Sequence, residues 1–434
     1  MKFHNYVKQT LLELIDQMSE NPDPFVQHPG KDFSRRRKLG FSQLMQLIIS
    51  METGSIKNEL IKFFHCSPDM PSASAFVQQR AKIKTEAFLT LLHQFNNSFD
   101  TQKYKGYRLI ACDGTVLSIP LEPGHDEFIY RKREDQRAYF QMHLNVLYDL
   151  CTHTYQDIVI NPRNGNNERT ALCEMILRGN FEPGSIFIAD RGYEGYSLLS
   201  LLSRKGMYFV VRAKDNNVGG IVKSYDVPQE GEYDKSFHYT YTNRRNKKVR
   251  ENPDIFKRVR LSPSSYFISP QEPYIKMFLR IVKVKVPGNK YVCLLTNLPA
   301  DKFSAEELRE IYRMRWGIET SFRELKYTVG MTSLHSKKEE FIKQEILARL
   351  ILYNFCEIIA NQVRITEKKT TYRYQLNHSA VVCFCCWFLR LKSYEQPPDV
   401  EALIAKELLP VRPGRNYARN MKYHSAIAFC YRAH

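Results

Sequence analysis

Apolar residues recur at helical spacing through residues 1–100, then give way near residue 105 to short runs that are apolar or alternating. In the first segment, GFSQLMQLIISM and IKNELIKFF are amphipathic runs separated by Glu52, Thr53 and Gly54, and SASAFVQQRAKI and AFLTLLHQF follow Pro71. Recurrence at i, i+3 and i+4 marks one buried face, and short helices joined by tight turns predict a helix-turn-helix-like bundle. Beyond it, YRLIACDG, YFQMHLNVLYDL, THTYQDIVI, SIFIADRGY and GMYFVVRAK are bounded by turn residues and predict five strands. NNERTALCEMILRG, between the third and fourth, and SLLSLLSRKG, between the fourth and fifth, predict helices. Strands in a row followed by helix, strand, helix, strand is an α/β pattern with a mixed sheet.

Helical periodicity vanishes again from about 215 to 297, where YIKMFLRIVKVKV, a turn at Pro287-Gly288-Asn289-Lys290 and YVCLLTNL predict a long hairpin. Ser304-Ala305-Glu306-Glu307 is a capping box that opens a helix to about Tyr327, and a second helix spans about 337–363. The chain therefore divides into a helical segment 1–100, an α/β core in two parts (101–214 and 298–365), a β-rich insertion 215–297 between them, and a mostly helical tail 366–434.

Charge changes this picture. Lys and Arg number 64 against 46 Asp and Glu, for a net charge of +18. An excess of that size points to a polyanionic partner, either nucleic acid or an anionic membrane surface. The membrane reading fails. The N-terminus lacks the long apolar stretch of a secretory signal, 345–363 carries Glu345, Arg349 and Glu357, and 380–391 is too short to span a bilayer. A soluble, cytoplasmic protein is expected. Ten cysteines without a single C-x-x-C pair give no zinc ribbon or thioredoxin motif, and Cys383, Cys385 and Cys386 read as reduced thiols in an apolar segment.

The excess charge is uneven. Residues 215–297 hold 15 basic and 8 acidic residues, the tail 11 and 5. Arg244, Arg245, Lys247 and Lys248 stand in the insertion among aromatics, a pattern that suits DNA contact. Arg35, Arg36, Arg37 and Lys38 precede the first of the amphipathic runs; such a run is either a phosphate contact or a solvated loop.

Three acids stand out. Asp113 closes the run LIACDG and Asp190 the run IFIADRG, each placed at the C-terminal edge of an apolar strand with glycine within two residues. Asp beside Gly is a common turn pair, so either alone reads as structural. Two at the strand ends of one sheet bring carboxylates together. In the helix after Ser304, Tyr312, Arg315, Glu319 and Lys326 are spaced 3, 4 and 7 apart. They fall within roughly 60° of one another, a single stripe beside the apolar face. Arg315 and Glu319 also have the i, i+4 spacing of an ordinary ion pair. Together, three carboxylates with Arg and Lys beside the third describe a divalent-metal site facing phosphate. Trp316 lies about 40° round the helix from Tyr312, so both are candidates to face DNA.

The spacing Y-x2-R-x3-E-x6-K, present as YRMRWGIETSFRELK, resembles the signature of the bacterial insertion-sequence DDE transposases of the insertion-sequence-four type. TNLP…FSAEEL, the C-D-G-T around Asp113, the D-R-G-Y around Asp190 and PVRPGRNY near the C-terminus resemble the same family. The resemblance implies an RNase H-like core with a β-rich insertion between the second Asp and the Glu. It implies Asp113, Asp190 and Glu319 as catalytic metal ligands for Mg2+, with Mn2+ as substitute and two ions. It also implies double-stranded transposon ends and target DNA as partners, a homodimer on paired ends, and cut-and-paste transposition through a hairpin intermediate. Non-catalytic DNA binding by a derivative of such an enzyme is the alternative.

Overall fold

The computed structural model describes all residues except 36, 122–123, 132–137, 166, 215–218, 260–271, 289, 366–371, 393–394, 397 and 412–434. Arg36, Asn289 and the motif PVRPGRNY from residue 412 onward thus lie outside the described residues.

Five helices open the chain: α1 (Phe3–Glu20), α2 (Phe41–Ser50), α3 (Ile56–Phe63), α4 (Ala73–Arg80) and α5 (Thr85–Asn97). Ser55 and Ser72 cap α3 and α4 by accepting from the backbone N–H of Asn58 and Ala75. The sheet region follows as β1 (Leu109–Ile119), β2 (Ile129–Tyr130), β3 (Tyr139–Asp149), β4 (Thr154–Pro162), α6 (Glu168–Arg178), β5 (Ile186–Ala189), α7 (Tyr196–Arg204) and β6 (Tyr208–Arg212). The next stretch holds β7 (Tyr233–Thr242), α8 (Lys247–Glu251), β8 (Phe256–Arg258), β9 (Tyr274–Val286) and β10 (Lys290–Thr296). Last come α9 (Ala305–Met314), α10 (Trp316–Arg323), a π-helical turn (Glu324–Thr328), α11 (Glu339–Ala360), β11 (Arg373–Leu376), α12 (His378–Arg390), α13 (Val400–Lys406) and β12 (Leu408–Val411).

One large mixed sheet runs β2-β3-β1-β5-β6-β10-β9-β7-β8, with β4 also paired to β3. β1, β3 and β4 pair antiparallel; β5 joins β1 and β6 joins β5 in parallel. The hairpin expected in the insertion is β9–β10, and it does not form a separate sheet. β10 pairs with β6, so the insertion extends the core sheet edge to edge.

The sheet buries both faces, which is why its central strands read as near-continuous apolar runs. On one face, Ile110, Cys112, Phe187 and Phe209 pack with Leu172 of α6 and Leu198 of α7. On the other, Leu109, Ala111, Leu117, Ile186 and Ile188 pack with Ile311, Ile318, Phe322 and most of α11. That second core continues without a break into Leu11, Leu44, Ile48 and Phe88 of the N-terminal helices. Polar locks reinforce the join. Arg80, 1% exposed, pairs with Glu345 of α11 at 2.9 Å, and Arg349 donates to the Met51 and Glu52 carbonyls. The N-terminal bundle thus covers α11 rather than hanging from a linker. Among the described residues no helix is long and apolar enough to cross a membrane.

Candidate active site

Parallel pairing of β1 with β5 ends at Cys112 and Ala189. Asp113 is the next residue of β1 and Asp190 the first residue past β5, so the two acids follow the last paired residues of neighbouring strands, and the Asp190 charge acts on Asp113. Asp113 is not a strand end, as its sequence context suggests, because β1 continues to Ile119 along its other neighbour, β3. What ends there is the parallel pairing, and this opens the edge where the two acids stand. Each carboxylate accepts from a following glycine: Asp113 Oδ1 from Gly114 N at 2.8 Å, Asp190 Oδ1 from Gly192 N at 2.7 Å.

Close approach requires glycine at 114 and leaves little room for a Cβ at 192. A Cβ on Gly114 would land on the His143 ring, with Glu168 Oε1 at 3.1 Å, and one on Gly192 would lie 3.1 Å from Glu168 Oε2. His143 Nε2 is itself 3.3 Å from Glu168 Oε1. This pair, packed beneath both acid-bearing turns, was not visible in the sequence, where each glycine reads only as a turn former.

The third acid comes from the opposite layer. Ser304 and Glu307 form the expected capping box at the start of α9. The expected single helix to Tyr327 is instead three pieces, with a joint at Arg315 and a π-helical turn from Glu324. Arg315, 5% exposed, sits at the joint between Asp113 and Glu319. Its Nη1 donates to Asp113 Oδ2 and its Nη2 to Glu319 Oε1, both at 2.9 Å. The i, i+4 pair is therefore real, and the same guanidinium also ties the helix to the strand. Burial, partly opposed by Arg315 and the Gly114 N–H and assisted by Asp190 and Glu319, pushes the Asp113 carboxyl up to about 6. Lys326 reaches the same strand, donating to Thr115 Oγ1 at 2.6 Å and the Val116 carbonyl at 2.8 Å, and burial lowers its pKa.

The stripe's aromatics separate. Trp316 is 53% exposed, whereas Tyr312 is 8% exposed and packs into the core. Tyr312 therefore does not present a free ring face to DNA; both rings flank the Arg315 guanidinium, at 5.7 and 5.4 Å. Arg35, Arg37, Arg244, Arg245, Lys247 and Lys248 are all exposed. Lys247 is 3.8 Å from Glu251, and Lys248 lies over the Phe256 and Tyr274 rings.

Oxygen-only donors on two strands and a helix fit hard divalent cations. Arg315 now supplies the positive charge between two of them, and the three carboxylates do not gather within 4.8 Å as a group. Three other sets among the described residues do: His4–Asp399–Glu401, His125–Glu127–Glu339 and Glu324–Glu357–His378.

The fold is a mixed α/β sheet with two aspartates just past the paired ends of neighbouring strands and a glutamate on the helix that faces them. Residues 104–355, more than half the chain, match the family described as "Transposase DDE domain", and the chain belongs to that family. It is similar to the transposase for insertion sequence element IS421 of Escherichia coli, 43% identical over 61 residues, 14% of this chain and 16% of that one. It is also similar to the transposase InsG for insertion sequence element IS4 of Escherichia coli (strain K12), 22% identical over 335 residues covering 74% and 70%. The transposase for insertion sequence element IS231E of Bacillus thuringiensis subsp. finitimus is 20% identical over 286 residues, covering 60% and 59%. The chain thus spans about a sixth of the first of these relatives and over half of the other two. Among solved structures it is similar to the "Cryo-EM structure of piggyBac transposase synaptic complex with hairpin DNA (SNHP)", with a TM-score of 0.47 and 10% identity over 89% of this chain and 80% of that one.

Proposed function

We propose that the chain is a DNA transposase that moves an insertion sequence by cut-and-paste, with an RNase H-like core whose Asp113, Asp190 and Glu319 hold two Mg2+ ions, replaceable by Mn2+. The observation that carries this is the register of β1 and β5, which sets Asp113 beside Asp190 while Arg315 joins Asp113 to Glu319. The strand order β4-β3-β1-β5-β6, antiparallel on one side of β1 and parallel on the other, supports the RNase H-like reading. Bound cations supply Lewis-acid activation of the attacking oxygen and stabilise the leaving one in an in-line displacement.

The chain's own residues do the rest. Arg315 and Lys326 neutralise phosphate oxygens beside the scissile bond, and the π-helical turn and the joint at Arg315 fix where those cations stand. Water attacks first and frees a 3′-OH. That hydroxyl attacks the opposite strand, closing a hairpin and releasing the flanking DNA; a second water hydrolyses the hairpin, and the regenerated 3′-OH attacks a target phosphodiester. Trp316, exposed beside the acids, stacks an unpaired base of the bent end. The N-terminal helices read the element ends, with Arg35 to Arg37 on phosphates, and the insertion carrying Arg244 to Lys248 contacts DNA near the cut. Two copies act on paired ends in the cytoplasm, at the nucleoid.

The test is cleavage of DNA bearing the ends that flank the protein's own gene. Mg2+-dependent cutting at those ends is expected, lost on chelation and on Asp113→Ala, Asp190→Ala or Glu319→Ala, with end binding retained. Binding of the ends without cutting in Mg2+ or Mn2+ would make the chain a DNA-binding derivative instead.

A further inference from the structure

A second basic feature lies against Asp190 and was not anticipated in the sequence. An open cleft of about 960 Å³ is bordered by Arg169 of α6, by Arg191 and Gly192, and by Lys214, Lys223 and Arg258 from the chain beyond β6. Small-molecule pockets of comparable size are mostly apolar with a few polar groups. Among the described residues this one is lined by five cations. The one carboxylate among them, Glu194, is 8% exposed and already spent on backbone, accepting from Lys214 N at 2.9 Å and from Ile221 N. Arg191, Lys214, Lys223 and Arg258 are exposed and have no acidic partner among the described residues. Four cations facing one solvent-filled space repel one another unless an anion lies between them.

Position gives the occupant. Arg191 directly follows Asp190, so the cleft begins where the phosphate to be cut must lie. Arg169 places the cleft on the α6–α7 face of the sheet. Arg315 and Lys326 come from the opposite face, in the layer whose core is continuous with the N-terminal helices. A strand crossing the two aspartates therefore meets Lys326 and Arg315 on the side of the end-reading helices and Arg191 on the side away from them.

We propose that this cleft holds the backbone phosphates of the donor DNA beyond the cut, so that Arg191, Lys214, Lys223 and Arg258 grip the flank rather than the element end. The proposal rests on the transposase reading above and assigns it a second DNA site.

The experiment compares wild type with a Lys214→Gln, Lys223→Gln, Arg258→Gln variant. All three positions are exposed, and an unchanged melting temperature checks folding. Two duplexes are used in Ca2+, one running through the cut site into flanking DNA and one ending at the cut. Binding is measured across salt concentrations. On the flank-bearing duplex the variant should bind about 10-fold to 100-fold more weakly, with a salt slope smaller by roughly 0.9 for each phosphate that is no longer neutralised. On the pre-cut duplex it should match wild type. Equal losses on both duplexes would put the cleft on the element side, and no loss on either would leave it a solvated surface; both overturn the proposal. If wild type does not distinguish its own ends from random DNA, the transposase reading itself falls, a result that the comparison of duplexes cannot mimic.

Discussion

Nη1 of Arg315 donates to Oδ2 of Asp113 at 2.9 Å, across 202 positions of sequence, from a side chain 6% exposed. With its second nitrogen on Glu319, Arg315 is the counter-ion shared by Asp113 and Glu319. Arg315→Ala should therefore destabilise the fold when no cation is added. The loss should be about 1–3 kcal/mol at pH 8, below the ~3–5 kcal/mol of a fully buried pair because both carboxylates keep some solvent. Adding millimolar Mg2+ should restore much of it, because a cation then fills the same role. Melting curves with and without Mg2+ measure both effects, and a loss that Mg2+ leaves untouched would place the metal elsewhere.

Asp113 itself carries a pH signature. Its carboxyl titrates near 6 in the folded chain against an ordinary value of 3.8. Between those values the folded state binds more protons than the unfolded one, so this group's contribution makes stability fall as pH rises through that window. The penalty is complete above about pH 6 and absent below about pH 4. Asp113→Asn should raise the stability of metal-free protein at pH 8 by about 1–2 kcal/mol, the lost Arg315 bond reducing the full ~3 kcal/mol that the shift implies. The gain should vanish by pH 4. A gain that is the same at both pH values would mean that charge at Asp113 is not its source.

The glycines behind the acids give a ranked pair. A Cβ on Gly114 collides with the His143 ring inside a buried sheet face, whereas one on Gly192 meets Asp190 Oδ1 at 3.0 Å and Glu168 Oε2 at 3.1 Å near the surface. Gly114→Ala should cost about 1–3 kcal/mol, in the range of overpacked cores, and Gly192→Ala less. Trimming the obstacle should rescue the first: His143→Ala in the Gly114→Ala background should recover stability. Denaturant midpoints decide it, and equal costs with no rescue would mean that His143 is not what Gly114 avoids.

The sequence carried the strands around Asp113 and Asp190, the capping box at Ser304 and the Tyr312–Lys326 spacing because each depends on neighbours within a few residues. What it did not carry depends on contacts far apart in the chain. Nothing local marks Arg80 as the partner of Glu345, so the N-terminal helices read as a separate unit although they share a core with α11. Likewise β10 reads as half of a hairpin, and only its pairing with β6 joins the insertion to the core sheet. The π-helical turn at Glu324–Thr328 lies in an unbroken helical pattern; what accompanies it is Lys326 reaching Thr115 and Val116 on the strand beside it. The basic cleft draws on Arg169, Arg191, Lys214, Lys223 and Arg258, spread over about 90 positions with no run to signal it.

The helix after Ser304 offers two glutamates and two aromatics whose surroundings predict opposite behaviour. Glu319 accepts from Arg315, which also holds Asp113, while Glu324 accepts from the Tyr353 hydroxyl at 3.2 Å and lies 3.7 Å from His378 Nε2. Glu319→Gln should abolish strand cleavage and keep end binding; Glu324→Gln should cleave within roughly threefold of wild type, since it touches no reacting group. Trp316 exposes its ring and Tyr312 does not. A base stacked on an exposed indole is held by about 1–3 kcal/mol, so Trp316→Ala should lower hairpin yield from pre-nicked ends about 10-fold or more. Tyr312→Phe keeps the buried ring and should leave that yield unchanged. A time course on pre-nicked ends separates the cases: normal hairpin yield from Trp316→Ala removes the stacking role, and cleavage by Glu319→Gln at the rate of Glu324→Gln removes Glu319 from the acid triad.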